Sequence, residues 1–137
     1  MHEWALAESV ITAALDTAKT ERLKKISEIT IDMGELQQIE RDIFRFALKE
    51  LTSSHSPLFK NVRFHLRTEK STLKCTVCGH EWTYADMKKN LEKKETEAIH
   101  FIPEVVFVHA RCPRCGSPDF EITKGRGVTV RSIKGTR

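Results

Sequence analysis

Four cysteines carry the plainest chemistry in this sequence. Cys75 and Cys78 enclose Thr-Val, Cys112 and Cys115 enclose Pro-Arg, and a glycine follows each pair, Gly79 and Gly116. Two residues between cysteines let both sulfurs of a tight turn point at one ion, and glycine allows the backbone to turn back at positive φ. Two such knuckles compose a tetrahedral four-cysteine site. Zn(II) suits it best; an iron site has the same spacing, and a redox CxxC would need no second copy. Four thiolates leave no open position for water or substrate, so the expected metal is structural rather than catalytic.

The opening Met1-His2-Glu3 offers a second, different chemistry. The α-amine and the His2 imidazole both lose their protons near neutral pH. Amine, His2 amide nitrogen and imidazole can close on one ion in fused five- and six-membered rings, and the Glu3 amide completes a square of nitrogens. Deprotonated amides in a square plane suit Ni(II) or Cu(II), not Zn(II) or Mg(II). Amides at a helix start have no intrahelical acceptor, so engaging one with a metal breaks no helix bond. The geometry requires that Met1 be retained, as expected when a residue as large as His2 follows it. Glu3 reads equally well as a helix-start acid.

These groups need elements to position them. Trp4, Ala7, Ile11, Ala14, Leu15 and Ala18 recur at helical spacing, predicting an amphipathic helix over 4–19, with Trp4 packed in its core. Ile29, Ile31 and Met33 alternate with polar residues, a strand over 26–33 that Gly34 ends. Leu36, Ile39, Ile43, Phe46 and Ala47 predict a second helix over 36–51, and Val62, Phe64 and Leu66 a second strand. The stretch 80–84 reads as a strand leaving the first knuckle, 86–98 as a solvated helix or loop, and 105–110 as a strand entering the second knuckle. Val128, Val130 and Ile133 offer a last strand that rejoins the first sheet. The expectation is an α+β fold: a small domain of two helices and a three-stranded sheet, 1–72 plus 120–137, with an inserted four-cysteine, zinc-ribbon-like domain, 73–119, and hinges near 70–74 and 119–124. Some 47 residues bury little core, so metal must hold the insert together.

Composition narrows the function. The net charge is +4 with a pI near 8.9, yet residues 1–72 balance 11 basic against 11 acidic side chains and 73–119 balance 7 against 7. The excess sits in 120–137, with 5 basic residues and 1 acidic. Nucleic-acid binders usually spread a basic face over the domain, so a nucleic-acid partner is not indicated. The longest apolar run is far short of the roughly 20 residues a membrane helix needs. Acids stand where a secretory signal would carry Lys or Arg, so the chain is expected in a reducing cytoplasm, where thiols bind metal rather than pair. No Walker lysine loop, H-E-x-x-H or G-x-S-x-G suggests an enzyme.

The opening MHEWALAESV, Met33-Gly34-Glu35-Leu36, Cys75-x-x-Cys78-Gly, Cys112-Pro-x-Cys115-Gly and Gly125-Arg-Gly-Val together resemble the HypA/HybF family over the whole chain. The resemblance implies a nickel metallochaperone for [NiFe]-hydrogenase maturation, with an α/β nickel-binding domain joined to a zinc domain. It implies nickel held by His2, with Met1 and Glu3 contributing backbone nitrogens, and zinc held by Cys75, Cys78, Cys112 and Cys115. It further implies a HypB-type nucleotide-hydrolysing partner and a hydrogenase large-subunit precursor as the recipient. The 33 residues between the cysteine pairs exceed the dozen of most bacterial members and resemble the archaeal-type version. In that version the histidine of a His-Phe-Ile-Pro-Glu segment can join nickel, which falls on His100. Between Ile99 and Phe101, His100 also reads as a packed core histidine. His80 and His109 flank the knuckles and could hydrogen-bond their sulfurs, and His65 reads as solvated. The competing function is a zinc-ribbon nucleic-acid or transcription module using the basic tail.

Overall fold

In the computed structural model, residues 2–37, 39–55, 57–102 and 105–137 are described, without the side chains of His2, Gln37 and His100. The chain forms two compact units. The first comprises 1–32, 39–67 and 128–137, the second 33–38 and 68–127.

The first unit packs α1 (His2–Glu21) along α2 (Arg41–Ser53) beside a sheet in the order β2-β1-β6. Ala7, Val10, Ile11, Ala14 and Ala18 are buried along one stripe of α1, as the helical spacing predicts. Arg22, at φ 57°, takes the left-handed turn after the helix, and Leu23 N–H donates to Ala18 O at 2.8 Å, which satisfies a last-turn carbonyl. Strand β1 (Lys25–Gly34) buries Ile29, Ile31 and Met33. Its start and end meet opposite ends of β6 (Val128–Thr136): Lys24 N–H donates to Thr136 O, and Gly34 N–H to Gly127 O. The predicted last strand therefore does rejoin the sheet, antiparallel to β1. On the other edge, β2 (Arg63–Glu69) has the Phe64 and Leu66 carbonyls bonded by Arg45 and Arg41 of α2, each at 2.9 Å, so two long cations occupy acceptors that another chain could pair with.

Two readings of this unit need correction. The second helix begins at Arg41, not Leu36, because Glu35–Gln37 is a 3-10 turn and Leu36 lies fully buried in the core of the second unit. Its buried face is Phe44, Ala47, Leu48 and Thr52, while Ile43 and Phe46 face outward. Trp4, expected in the core, is 42% exposed and meets Phe46 edge-on at 6.1 Å.

The second unit is a three-stranded antiparallel sheet, β4-β3-β5, with three short helices. Strand β3 (Thr72–Cys75) sets Leu73 opposite Trp82 of β4 (Glu81–Thr83) and Cys75 opposite Phe120 of β5 (Phe120–Lys124). Helix α3 (Tyr84–Lys88) is capped by Thr83, whose hydroxyl accepts the Asp86 N–H. Helix α4 (Lys93–Phe101) starts with a reciprocal capping box between Glu92 and Glu95. The strand expected over 105–110 is instead one helical turn, α5 (Val106–His109), with Val106 and Ala110 buried on one side. A short apolar run cannot be told from a buried helix turn by periodicity, and here β5, in a stretch the sequence reads as a hinge, already occupies the place beside β3. Leu36, Leu73, Trp82, Tyr84, Met87, Ile99, Val106 and Phe120 form the core with Cys75 and Cys112. At its margin the backbone of Gly34 comes so near Gly125 that a Cβ on Gly34 would stand 2.2 Å from the Gly125 carbonyl oxygen.

Candidate metal centre

The two CxxC turns fold as copies of one another. Cys75 N–H donates to His80 O and Gly79 N–H returns to Cys75 O; Cys112 N–H donates to Ser117 O and Gly116 N–H returns to Cys112 O. All four bonds measure 2.9–3.0 Å. Gly79 and Gly116 sit at φ +77° and +78°, the positive-φ role expected of them. Within each turn, two backbone N–H groups aim at the first sulfur: Val77 and Cys78 at Cys75 Sγ, Arg114 and Cys115 at Cys112 Sγ, at 3.4–3.5 Å.

The turns bring all four sulfurs within 4.8 Å of one another, and among the described residues this is the one group of His, Cys, Asp or Glu placed to hold a metal ion. Cys75–Cys115 and Cys78–Cys112 lie 3.6 Å apart. Sulfurs about 2.3 Å from a tetrahedral zinc stand about 3.8 Å from each other, so the cluster has the size of a four-sulfur zinc tetrahedron. Cys75 and Cys112 are buried while Cys78 and Cys115 reach the surface.

Electrostatics favour a cation in this cluster. Burial pushes the Cys112 thiol up, but the amides of Cys115 and Arg114 and the Cys78 thiol carry it down to about 6. The Cys75 thiol is lowered too, first by the Cys78 amide. Cys115 goes the other way: the Ser117 backbone lowers it, yet burial and the sulfurs of Cys75, Cys112 and Cys78 push it up to about 12. Crowded thiolates cannot all ionise against one another, so the last proton is held until a divalent ion replaces it. A four-thiolate shell with amides bonded to its sulfurs is closed and fits structural zinc.

The neighbouring histidines do not bond the sulfurs. His80 lies stacked on Trp82, with ring centroids 6.0 Å apart, and His109 Nδ1 meets Glu95 Oε2 at 2.9 Å. His65, half exposed, stands 3.4 Å from Glu28.

Of the expected nickel ligands, Met1 lies outside the described residues, as do the side chains of His2 and His100. The backbone of His2 opens α1 and that of His100 belongs to α4. Glu3 is described: its side chain is only 7% exposed. Burial raises its carboxyl, but hydrogen bonds, those of the Glu3 and Glu40 backbone among them, hold it below the ordinary carboxylate value.

The basic C-terminal stretch is largely engaged. Arg131 meets Asp32 at 3.2 Å, Lys134 meets Glu28 at 3.5 Å and Arg137 meets Glu21 at 3.1 Å. Among the described residues no helix is long and apolar enough to cross a membrane.

Residues 1–135 match the family described as hydrogenase/urease nickel incorporation metallochaperone, HypA. The hydrogenase maturation factor HypA of Pyrococcus abyssi is 42% identical over 134 residues, covering 98% of this chain and 95% of that protein. That of Thermococcus onnurineus is likewise 42% identical, with the same coverage. The solution structure of the Ni metallochaperone HypA from Helicobacter pylori shares the fold at a TM-score of 0.65 and 19% identity, covering 98% of this chain and 97% of that one.

Proposed function

The chain belongs to the HypA family of nickel-incorporation metallochaperones, which are maturation factors and not enzymes, and from that premise we propose how it carries its cargo. Ni(II) is taken up in a nitrogen square by the Met1 amine, the amides of His2 and Glu3 and the His2 imidazole. It is then delivered, in the cytoplasm, to a [NiFe]-hydrogenase large-subunit precursor with the help of a HypB-type nucleotide-hydrolysing protein. Zinc at Cys75, Cys78, Cys112 and Cys115 stays behind as structure. The observation that carries this reading is the family match beginning at residue 1, over a helix that starts at His2.

Three features support it. First-turn amides have no helical acceptor to lose. The Glu3 carboxylate is buried and held below its ordinary value at the start of the same helix. A site at a chain terminus can open to hand metal on, whereas a closed four-thiolate shell cannot. The ion pairs of Arg131, Lys134 and Arg137 weigh against the nucleic-acid alternative.

The test is a Ni(II) titration of protein with its native start, of His2→Ala, and of protein with two residues added before Met1. The native protein binds about one nickel with the absorption of a square-planar ion, and the other two lose that band. Equal binding by all three overturns the reading. Within the same experiment His100→Ala assigns this histidine: a changed band and weaker binding make it a ligand, and an unchanged titration removes it.

A further inference from the structure

The four sulfurs of the metal centre are not equivalent. Cys75 and Cys112 are buried and belong to the core of the second unit, while Cys78 and Cys115 reach the surface. Each buried sulfur also accepts two backbone N–H groups of its own turn, from Val77 and Cys78 at Cys75 and from Arg114 and Cys115 at Cys112. Amide donors draw charge from a thiolate and lower its nucleophilicity, and burial keeps an oxidant away from it. The two outer sulfurs have the access that an oxidant needs.

The closest contacts follow the same division. Cys78 stands 3.6 Å from Cys112, and Cys115 stands 3.6 Å from Cys75. Each contact joins an outer sulfur to an inner one, and each runs between the turns rather than within one. An accessible thiolate beside a second thiol is the arrangement of an oxidisable cysteine with its resolving partner.

We propose that Cys78 and Cys115 are sites of reversible oxidation by hydrogen peroxide, resolved by Cys112 and Cys75 into two disulfides that cross between the turns. The Cys78 thiolate attacks one peroxide oxygen and the O–O bond breaks. The sulfur is oxidised to sulfenic acid, and the departing hydroxide takes up a proton and leaves as water. The Cys112 thiolate then attacks the sulfenic sulfur, the S–O bond breaks, and a second hydroxide leaves as water with a second proton. Cys115 and Cys75 repeat both steps with a second peroxide. All four thiolates are consumed, so the donor set for zinc is lost and Zn(II) is released. The new links join residues 34 and 40 positions apart, and closing loops of that length restrains the unfolded chain. They take over the cross-link that zinc supplied, and the second unit stays folded. The inference rests on the zinc assignment and is independent of the nickel reading.

The zinc-loaded full chain, labelled with nitrogen-15, is treated with hydrogen peroxide beside a chromogenic zinc chelator. Dimedone traps sulfenic acid at early times. At the end the remaining thiols are alkylated and the chain is digested with trypsin, whose cuts after Arg111 and Arg114 part Cys112 from Cys115. About one zinc per chain appears as the four thiols are lost. Dimedone marks Cys78 or Cys115, fragments join Cys78 to Cys112 and Cys75 to Cys115, and the Trp82 indole resonance, assigned with Trp82→Phe, keeps its dispersed position. Dithiothreitol with Zn(II) then returns the thiols and the metal. Dimedone on Cys75 or Cys112 first, any other disulfide pairing, oxidation past sulfenic acid without disulfides, or collapse of the Trp82 resonance overturns the proposal. So do zinc and thiols that survive a peroxide dose sufficient to oxidise free cysteine.

Discussion

Tyr84 is fully buried, and its hydroxyl has no hydrogen-bond partner among the described residues. Burial, with the charge of Glu35 added, pushes the phenol above its ordinary value, so it stays protonated and donates to nothing. The ring fills the core beside Leu73 and Ile99; the oxygen contributes only desolvation. Tyr84→Phe keeps the ring and removes the oxygen. The expected result is a protein as stable as the parent or more so, by about 0–1 kcal/mol in denaturant melts of the zinc-loaded form. A clear loss of stability would show that the hydroxyl is paired after all, with buried water as the first candidate. Trp82 Nε1 poses the same question, since it too is buried with no partner among the described residues.

At the scale of elements, Glu95 does two jobs. One carboxylate oxygen accepts the Glu92 N–H and closes the capping box of α4; the other meets His109 of α5 at 2.9 Å. Its carboxyl is held below its ordinary value of 4.5, first by the Glu92 amide, which outweighs the opposing effect of burial, with the charge and hydrogen bond of His109 adding to the lowering. A carboxyl lowered on folding stabilises above its unfolded value, and that stability is lost as pH falls through the lower folded value. Glu95→Gln should therefore melt below the parent at pH 7, with the gap closing as pH drops beneath 4.5. A gap constant from pH 7 to about 3 would mean that the charge is not what fastens the two helices. The sequence made part of this architecture readable. Ala7, Ile11, Ala14 and Ala18 repeat at helical spacing along one buried stripe, and Ile29, Ile31 and Met33 alternate, so α1 and β1 could be placed from local pattern alone. Leu36, Val106 and Phe120 could not. Leu36 is taken from the expected helix by a distant core, Val106 sits in an apolar run too short to show a period, and Phe120 becomes a strand residue through pairing with Cys75, 45 positions away in the chain. The zinc knuckles were legible to the residue, because cysteine spacing and glycine placement are local demands of the metal. The buried Glu3 side chain was not, since its burial depends on how α1 packs.

The two units differ in what holds them, and metal removal exposes the difference. The first unit buries a continuous apolar interior between α1, α2 and its sheet, drawn from Ala7, Ile11, Ile29, Ile31, Phe44 and Leu48. It has the composition of a core that folds on hydrophobic burial alone. In the second unit the core itself includes two of the four cysteines, and Cys75 and Cys112 sit beside Leu73 and Phe120. Without a cation, those sulfurs must hold protons or repel, as the split between Cys112 at about 6 and Cys115 at about 12 shows. The helices of this unit are short, at 5, 9 and 4 residues, and isolated helices of fewer than about 12 residues are marginal. Chelation of zinc, or Cys112→Ser, should therefore unfold the second unit and spare the first. The two tryptophans report each separately: Trp4, on α1, keeps its indole resonance and its contact with Phe46, while Trp82 loses its dispersed position. Returning Zn(II) to the chelated protein restores Trp82 and leaves Trp4 where it was. If both resonances collapse together, the units share one cooperative transition, and zinc supports the first unit as well as its own.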